Sequence, residues 1–303
     1  MQPPPQSLLP IPIPISTHSL DTPILLTLFL LTLPTLLLTH LIRKDYHAFL
    51  ALGPGGTPST PLGYVRICLL RLFIIRDPFN PPSIPPTLHP RSGLLSPTSL
   101  PMRSGPRPTV AGIAPQRQMS QKSGVAMYDI LSREIQSLVA CHPGELYEGT
   151  SCFEKHSTGI FCTVSGGGGI SSGLGPTPFG GMEGGDISSA VMMSHRRTCN
   201  GEVCHAHPSD GSLHLTLHPA DVKLVIERGW AQRHPLTRES WWWCFLRTVP
   251  TGFVMVYAPR DREELEIVLE IIRAAAWWVS GEELQREKMG KGVAGVRGRQ
   301  MVM

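Results

Sequence analysis

The stretch Ser212-Leu-His-Leu-Thr-Leu-His-Pro-Ala-Asp-Val-Lys-Leu-Val-Ile-Glu-Arg-Gly229 decides the fold class. Its first six residues alternate, so Leu213, Leu215 and Leu217 share one face of a strand and Ser212, His214 and Thr216 take the other. The period then changes. Pro219 suits the first turn of a helix, where its missing N–H costs nothing, Val222, Val225 and Ile226 recur at helical spacing, and Gly229 supplies the stop. Downstream, Gly252-Phe-Val-Met-Val-Tyr257 reads as another strand. Asp261 and Glu264 form a capping-box-like start for a long helix that places Leu265, Val268, Leu269, Ile272 and Ala276 on one face before Gly281. Upstream, Met127, Ile130, Leu131, Ile135, Leu138 and Val139 mark a helix, and residues 146–153 and 159–164 read as a hairpin. This order predicts an α+β domain over residues 123–283, a small sheet covered by helices.

Around that domain the composition is unusual. The 303 residues include 30 Gly and 30 Pro, a fifth of the chain, while only 17 % are charged and 41 % are hydrophobic. A net charge of +4 lacks the concentrated basic face that nucleic acid requires, so no nucleic-acid partner is expected. Residues 1–23 are Pro-rich and are expected to be disordered. Residues 24–42, Ile-Leu-Leu-Thr-Leu-Phe-Leu-Leu-Thr-Leu-Pro-Thr-Leu-Leu-Leu-Thr-His-Leu-Ile, contain no Asp, Glu, Lys or Arg. At ~1.5 Å per residue they reach about 28 Å, close to the ~30 Å hydrocarbon core of a bilayer.

A core helix would show a polar stripe, and a signal peptide a basic start and a small-residue cleavage site. Neither is present, and a single transmembrane helix is the expectation. Arg43 and Lys44 follow it and no Lys or Arg precedes it, which predicts a single-pass protein with its C-terminal domain in the cytosol. Seven cysteines without regular spacing agree with a reducing compartment. Residues 43–75 form a juxtamembrane amphipathic segment with Arg66 and Arg71 in an apolar run. Residues 76–122 read as a Pro-rich linker, residues 165–185 as a Gly-rich insertion and residues 284–303 as a basic tail. The Gly-rich run lacks Gly-Lys-Ser/Thr and opens no periodic helix, so it is not read as a phosphate loop.

Histidines gather in the folded part: His205, His207, His214, His218 and His234. His205 and His207 project to one side of an extended segment, and His214 lies on the polar side of its strand. Two chemistries fit. One is a zinc or iron site drawing on His-x-His, a distant His and Cys199 or Cys204; the spacing matches no standard zinc module. The other is acid–base work by neutral imidazole. His218, at a helix entry, reads as structural. Trp241, Trp242 and Trp243 fit a substrate wall, a membrane-facing patch or core.

The pieces Cys204-His-Ala-His207, Leu213-His-Leu215, Gly229-Trp-Ala-Gln-Arg-His-Pro-Leu236 and Tyr257-Ala-Pro-Arg260 with Glu263 and Glu264 resemble the domain of the fungal luciferases that oxidise 3-hydroxyhispidin. The resemblance extends to Ile42-Arg-Lys-Asp-Tyr46, Phe49-Leu50, Gly53-Pro54, Gly63-Tyr64, Arg107-Pro108 and Gln116-Arg-Gln118, and lapses in residues 77–102 and the Gly-rich run. It implies a membrane-anchored oxygenase that uses O2 as co-substrate and no metal or organic cofactor. Its substrate is a small hydrophobic molecule, an enol of the pyrone type, whose enolate reacts with O2. In such an enzyme His205, His207, His214 and His234 are the base candidates, Arg233 and Arg260 the oxyanion candidates, and Trp230 and Tyr257 the substrate-binding wall. The alternative is a non-catalytic membrane-tethered domain that binds a hydrophobic ligand or a protein partner.

Overall fold

The computed structural model describes residues 22–163, 198–239 and 249–284. The Pro-rich start up to residue 21, the Gly-rich run, Trp241 to Trp243 and residues 285–303 lie outside the described residues. Two compact units make up the chain, Met1–Ala48 and Phe49–Met303.

Helix α1 runs over Thr22–Ala51, longer than the apolar run itself, because the polar residues after Ile42 continue the helical turn. In the first unit its apolar side chains face outward; Leu30, Leu31 and Leu36 are each more than 60 % exposed. The Thr27, Thr35 and Thr39 hydroxyls donate to carbonyls four residues back, at 2.7, 2.7 and 2.8 Å. Their polarity is thus absorbed by the helix itself.

The second unit starts with α2 (Pro61–Leu70), capped by the Thr60 hydroxyl, which accepts the Gly63 N–H at 3.1 Å. A short antiparallel pair follows, β1 (Val110–Gly112) and β2 (Gln116–Gln118). Then come α3 (Val125–Cys141), β3 (Leu146–Thr150), β4 (Thr158–Cys162), β5 (Glu202–Ala206), β6 (Leu213–Thr216), α4 (Pro219–Glu227), β7 (Ala231–Arg233), β8 (Phe253–Val256) and α5 (Arg262–Ser280). Among the described residues β3 to β8 form one six-stranded sheet, ordered β3-β4-β5-β6-β8-β7 and antiparallel at every pairing. The α+β class expected from the sequence holds.

One face of this sheet is the hydrophobic core. Cys204, Leu213, Leu215, Val254, Val256 and Ala231 point towards α3, α4 and α5, whose Leu131, Val222, Val225, Leu265, Val268 and Ile272 are all buried against them. Asp261 caps α5 by accepting the Glu264 N–H at 2.8 Å, and Gly281, at φ 85°, closes it in the left-handed conformation that glycine adopts without penalty.

The opposite face carries Gln232, Met255, Phe253, His205, His207 and His214, all buried or nearly so. Helix α2 reaches it with Arg66 and Leu70. The rest of its cover comes from the chain before α3, and the linker reading of residues 76–122 gives way: Gln116, Arg117 and Gln118 are buried polar residues, as is Arg103, while Leu100 is fully buried in the core on the helix side. The segment is attached on both sides of the sheet, largely by proline carbonyls. Pro54 accepts from Arg117 Nη2 at 2.6 Å, Pro78 from the Arg233 N–H at 2.9 Å, Pro90 from His218 Nε2 at 2.9 Å and Pro101 from Trp230 Nε1 at 2.7 Å. In return the Asp221 carboxylate accepts the N–H groups of Leu94 and Leu95 at 3.0 and 2.9 Å. A proline brings an acceptor and no donor, so a Pro-rich segment can be buried with few main-chain N–H groups to satisfy.

Candidate functional site

The antiparallel register of β5 and β6 sets His205 directly opposite His214, and the two-residue strand period brings His207 to the same face. Their rings converge, with centroids 5.3 Å apart for His205–His214, 4.7 Å for His207–His214 and 5.4 Å for His205–His207. His205 Nε2 and His214 Nδ1 are 3.4 Å apart. His207 and Ser212 flank a turn in which Gly211 has φ 77°, and an added Cβ there would overlap the Ser123 side chain.

Each imidazole is fixed from behind by an acceptor. His205 Nδ1 donates to Glu202 Oε1 at 2.7 Å, and the same carboxylate receives the Ser151 hydroxyl at 2.6 Å and the Cys152 N–H at 2.7 Å. His214 Nε2 donates to Gln116 Oε1 at 2.9 Å. Ser212 Oγ gives its proton to Asp210 Oδ1 at 2.5 Å, so at 2.9 Å from His207 Nδ1 it accepts that ring's N–H. The other side of His207 faces a carboxylate, with Nε2 3.1 Å from Glu154 Oε2. Arg117 holds Glu154 with both terminal nitrogens, one at 3.0 Å from Oε2 and the other on Oε1.

The electrostatics follow from this arrangement. Burial, reinforced by His207, His205 and His234, pushes the His214 pKa well below the ordinary imidazole value; burial also lowers His205, against the pull of Glu202. Burial works against His207 in the same way, but Asp210 and Glu154 outweigh it and raise its pKa. Glu154 is held down at about 2: burial alone would raise it, and His207 and Arg117 reverse the sign. The cluster is therefore two neutral rings beside one that favours its charged form.

A cavity of about 170 Å³ opens onto this cluster. His205, His214, Gln116 and Glu154 stand at its polar end, and Phe153, Phe253, Leu236 and Ile113 form its apolar walls. Phe253 stacks on His214 with ring centroids 5.0 Å apart. Cys152, Phe153 and Val249 also line a neighbouring cavity of about 760 Å³, so the two spaces share a wall.

The remaining candidates lie differently. His234 borders the cavity, but Nε2 donates to the Ile113 carbonyl at 2.9 Å and Nδ1 accepts the Leu236 N–H at 3.2 Å, so both its nitrogens serve the main chain. Burial lowers its pKa to about 4. Arg233 is paired with Glu239 at 2.7 Å and with the Thr237 carbonyl at 2.6 Å; it does not line the cavity. Arg260 pairs with Glu264 and Ser104 on the outer rim of α5. Trp230 is part of the core on the helix side, and Tyr257 bonds Gln232 at 3.1 Å under the Arg103 guanidinium, so neither forms a wall of this cavity. His218 caps α4 as a structural residue, accepting the Ala220 N–H at 3.0 Å.

The model of the luciferase domain family matches residues 200–275, the segment that holds all four candidate histidines. The luciferase of Neonothopanus nambi is 30 % identical over 245 residues, covering 80 % of this chain and 82 % of that protein. This chain belongs to the fungal luciferase-like family. The luciferases of Armillaria ostoyae and Armillaria mellea are each 31 % identical to it over 244 residues, with the same 80 % and 82 % coverage. No solved structure matches the chain. The luciferase-like site is nevertheless larger than the matched segment. Gln116, Arg117, Ser151 and Glu154 come from outside residues 200–275, and Glu202 and Asp210 inside it carry no motif. The one sequence signal for the first two is the Gln116-Arg-Gln118 resemblance; Glu154 has none.

Proposed function

We propose that this luciferase-like domain oxidises a small, planar, hydrophobic enol of the hydroxypyrone type with O2, and that α1 anchors it in a membrane with the domain on the cytosolic side. The observation that carries the reading is the convergence of His205, His207 and His214, of which His205 and His214 stand at the polar end of an aromatic-walled cavity, in a chain of this family. The enol oxygens bind at that end, where the electron-rich deprotonated form sits beside positive charge and away from water. The ring system lies against Phe153 and Phe253 and extends past Phe153 towards the larger cavity. The anchor is supported by the outward-facing leucines of α1 and by threonine hydroxyls that bond within the helix, as spanning helices require. An apolar substrate that partitions into the bilayer belongs with such an anchor.

The test uses the full chain in detergent micelles, supplied with 3-hydroxyhispidin and simpler 3-hydroxy-2-pyrones, with O2 uptake and photons recorded together. Substrate-dependent O2 uptake is expected, reduced about 10²-fold or more in His214→Ala. Folded protein that consumes no O2 with any of these pyrones overturns the oxygenase reading. The chain is also expected to stay with membranes through an alkaline carbonate wash, and its release would remove the anchor.

A further inference from the structure

We propose that His205, His207 and His214 hold a divalent first-row transition-metal ion. This goes beyond the oxygenase reading and departs from the cofactor-free chemistry that the family resemblance implies. It rests on where the protons must be. The outer nitrogen of each ring faces a group that can only accept: the Glu202 carboxylate behind His205 Nδ1, the Gln116 amide oxygen behind His214 Nε2, and behind His207 Nδ1 a Ser212 oxygen whose own proton is given to Asp210. The protons are therefore on the outside. Two inner nitrogens, His205 Nε2 and His214 Nδ1, direct lone pairs at each other across 3.4 Å, and one ligand nitrogen from each of the three rings lies within 4.8 Å of the others.

Lone pairs facing each other in a dry interior repel unless something positive lies between them. His207 Nε2 is buried 3.1 Å from the Glu154 carboxylate, outside hydrogen-bond geometry, and the proton it carries there is the one an ion would displace. A single proton satisfies one such pair; a metal ion satisfies all three nitrogens at once.

Geometry and charge agree. Two imidazole nitrogens at ~2.1 Å from a tetrahedral ion stand about 3.4 Å apart. His205 Nε2 and His214 Nδ1 stand 3.4 Å apart. Behind the rings, Glu202 and Asp210 contribute two formal negative charges in the carboxylate–histidine arrangement that orients metal-bound imidazole, while Glu154 is matched by Arg117. When the ion displaces the Nε2 proton of His207, three neutral imidazoles and a divalent cation bring the whole cluster to zero. Three nitrogen donors suit zinc or ferrous iron rather than magnesium or calcium. They leave coordination positions open on the side where the cavity begins.

The experiment does not depend on turnover. The full chain is purified in detergent without a histidine tag or chelator, and its metal is counted by elemental analysis, then stripped and replaced by Co²⁺. The expected result is one ion per chain, visible d–d absorption on cobalt loading, and paramagnetically shifted imidazole N–H signals from three rings. His205→Ala and His214→Ala are expected to lose the ion while keeping their circular-dichroism spectrum, and the exposed His156→Ala to keep it. Should the first two variants fail to fold, the cobalt spectra of the unaltered protein decide the matter. Protein that binds neither its own metal nor cobalt overturns the proposal, as does an ion fully retained by folded His205→Ala and His214→Ala. Metal without pyrone oxidation would defeat only the oxygenase reading; pyrone oxidation without metal would defeat only this one.

Discussion

Asp221 is a buried carboxyl at the start of α4 whose two oxygens answer the main-chain N–H groups of Leu94 and Leu95. Burial pushes its pKa up to about 6, and the two N–H bonds offset only part of that cost. Because the folded value lies above the ordinary carboxylate value, the stability its protonated form contributes is complete below pH ~4 and is lost as the pH rises through about 6. From pH 4 to pH 7 the unaltered chain should therefore lose stability relative to Asp221→Asn in urea unfolding, since the amide carries no charge to desolvate. Equal differences at both pH values would contradict this. Asp221→Ala, which leaves two N–H groups without their acceptor, is expected to cost about 1–3 kcal/mol. The packing is tight enough that Gly93 tolerates no larger residue: an added Cβ would lie 2.0 Å from the Asp221 carboxylate. His205 and His234 illustrate the limit of reading residues singly. Both are buried histidines near one strand face, and only the partners of their nitrogens, a carboxylate for one and the main chain for the other, separate a site residue from a structural one.

Elements were legible where a period and a punctuation mark coincided. Leu213, Leu215 and Leu217 alternate, Pro219 opens α4, Gly229 ends it at φ 80°, and Asp261 caps α5, all as the sequence pattern predicts. Asp261→Ala removes the acceptor of the Glu264 N–H and is expected to destabilise the domain by about 1 kcal/mol, read as a lowered melting temperature. No change on that substitution would show that the cap is dispensable. The short strand β7, Ala231–Arg233, has no period long enough to recognise and exists because β8 offers it a ladder. The packing of residues 76–122 was hidden for a different reason. It is attached through the carbonyls of Pro78, Pro90 and Pro101, which every residue type possesses, so no side-chain pattern reports it. Glu154 and Glu202 were equally hidden, because a single carboxylate in a loop or strand end has no periodicity to announce it.

In the second unit as a whole, the sheet face packed on α3, α4 and α5 supplies stability and the face covered by the chain before α3 supplies the site. If the cover is integral, its amides should exchange with the sheet rather than as an open chain. The N–H groups of Arg103, bonded to Arg228 O at 2.8 Å, Met119, bonded to Thr109 O at 2.8 Å, and Gln118, bonded to Asp210 Oδ2 at 3.2 Å, are expected to be protected together with those of β5 and β6. Exchange within seconds across residues 100–119 in folded protein would return that stretch to the status of a linker. The same cover has a consequence in time. The bond between Gln116 and His214 joins residues 98 positions apart, and that between Ile113 and His234 joins residues 121 apart. At roughly 5–20 residues per second of synthesis, Gln116 is added to the chain about 5–20 s before His214. The cover is thus made first and waits, hydrated, for the histidines it will enclose. Such distant pairings close slowly, and the luciferase-like site is among the last parts of the chain to take shape.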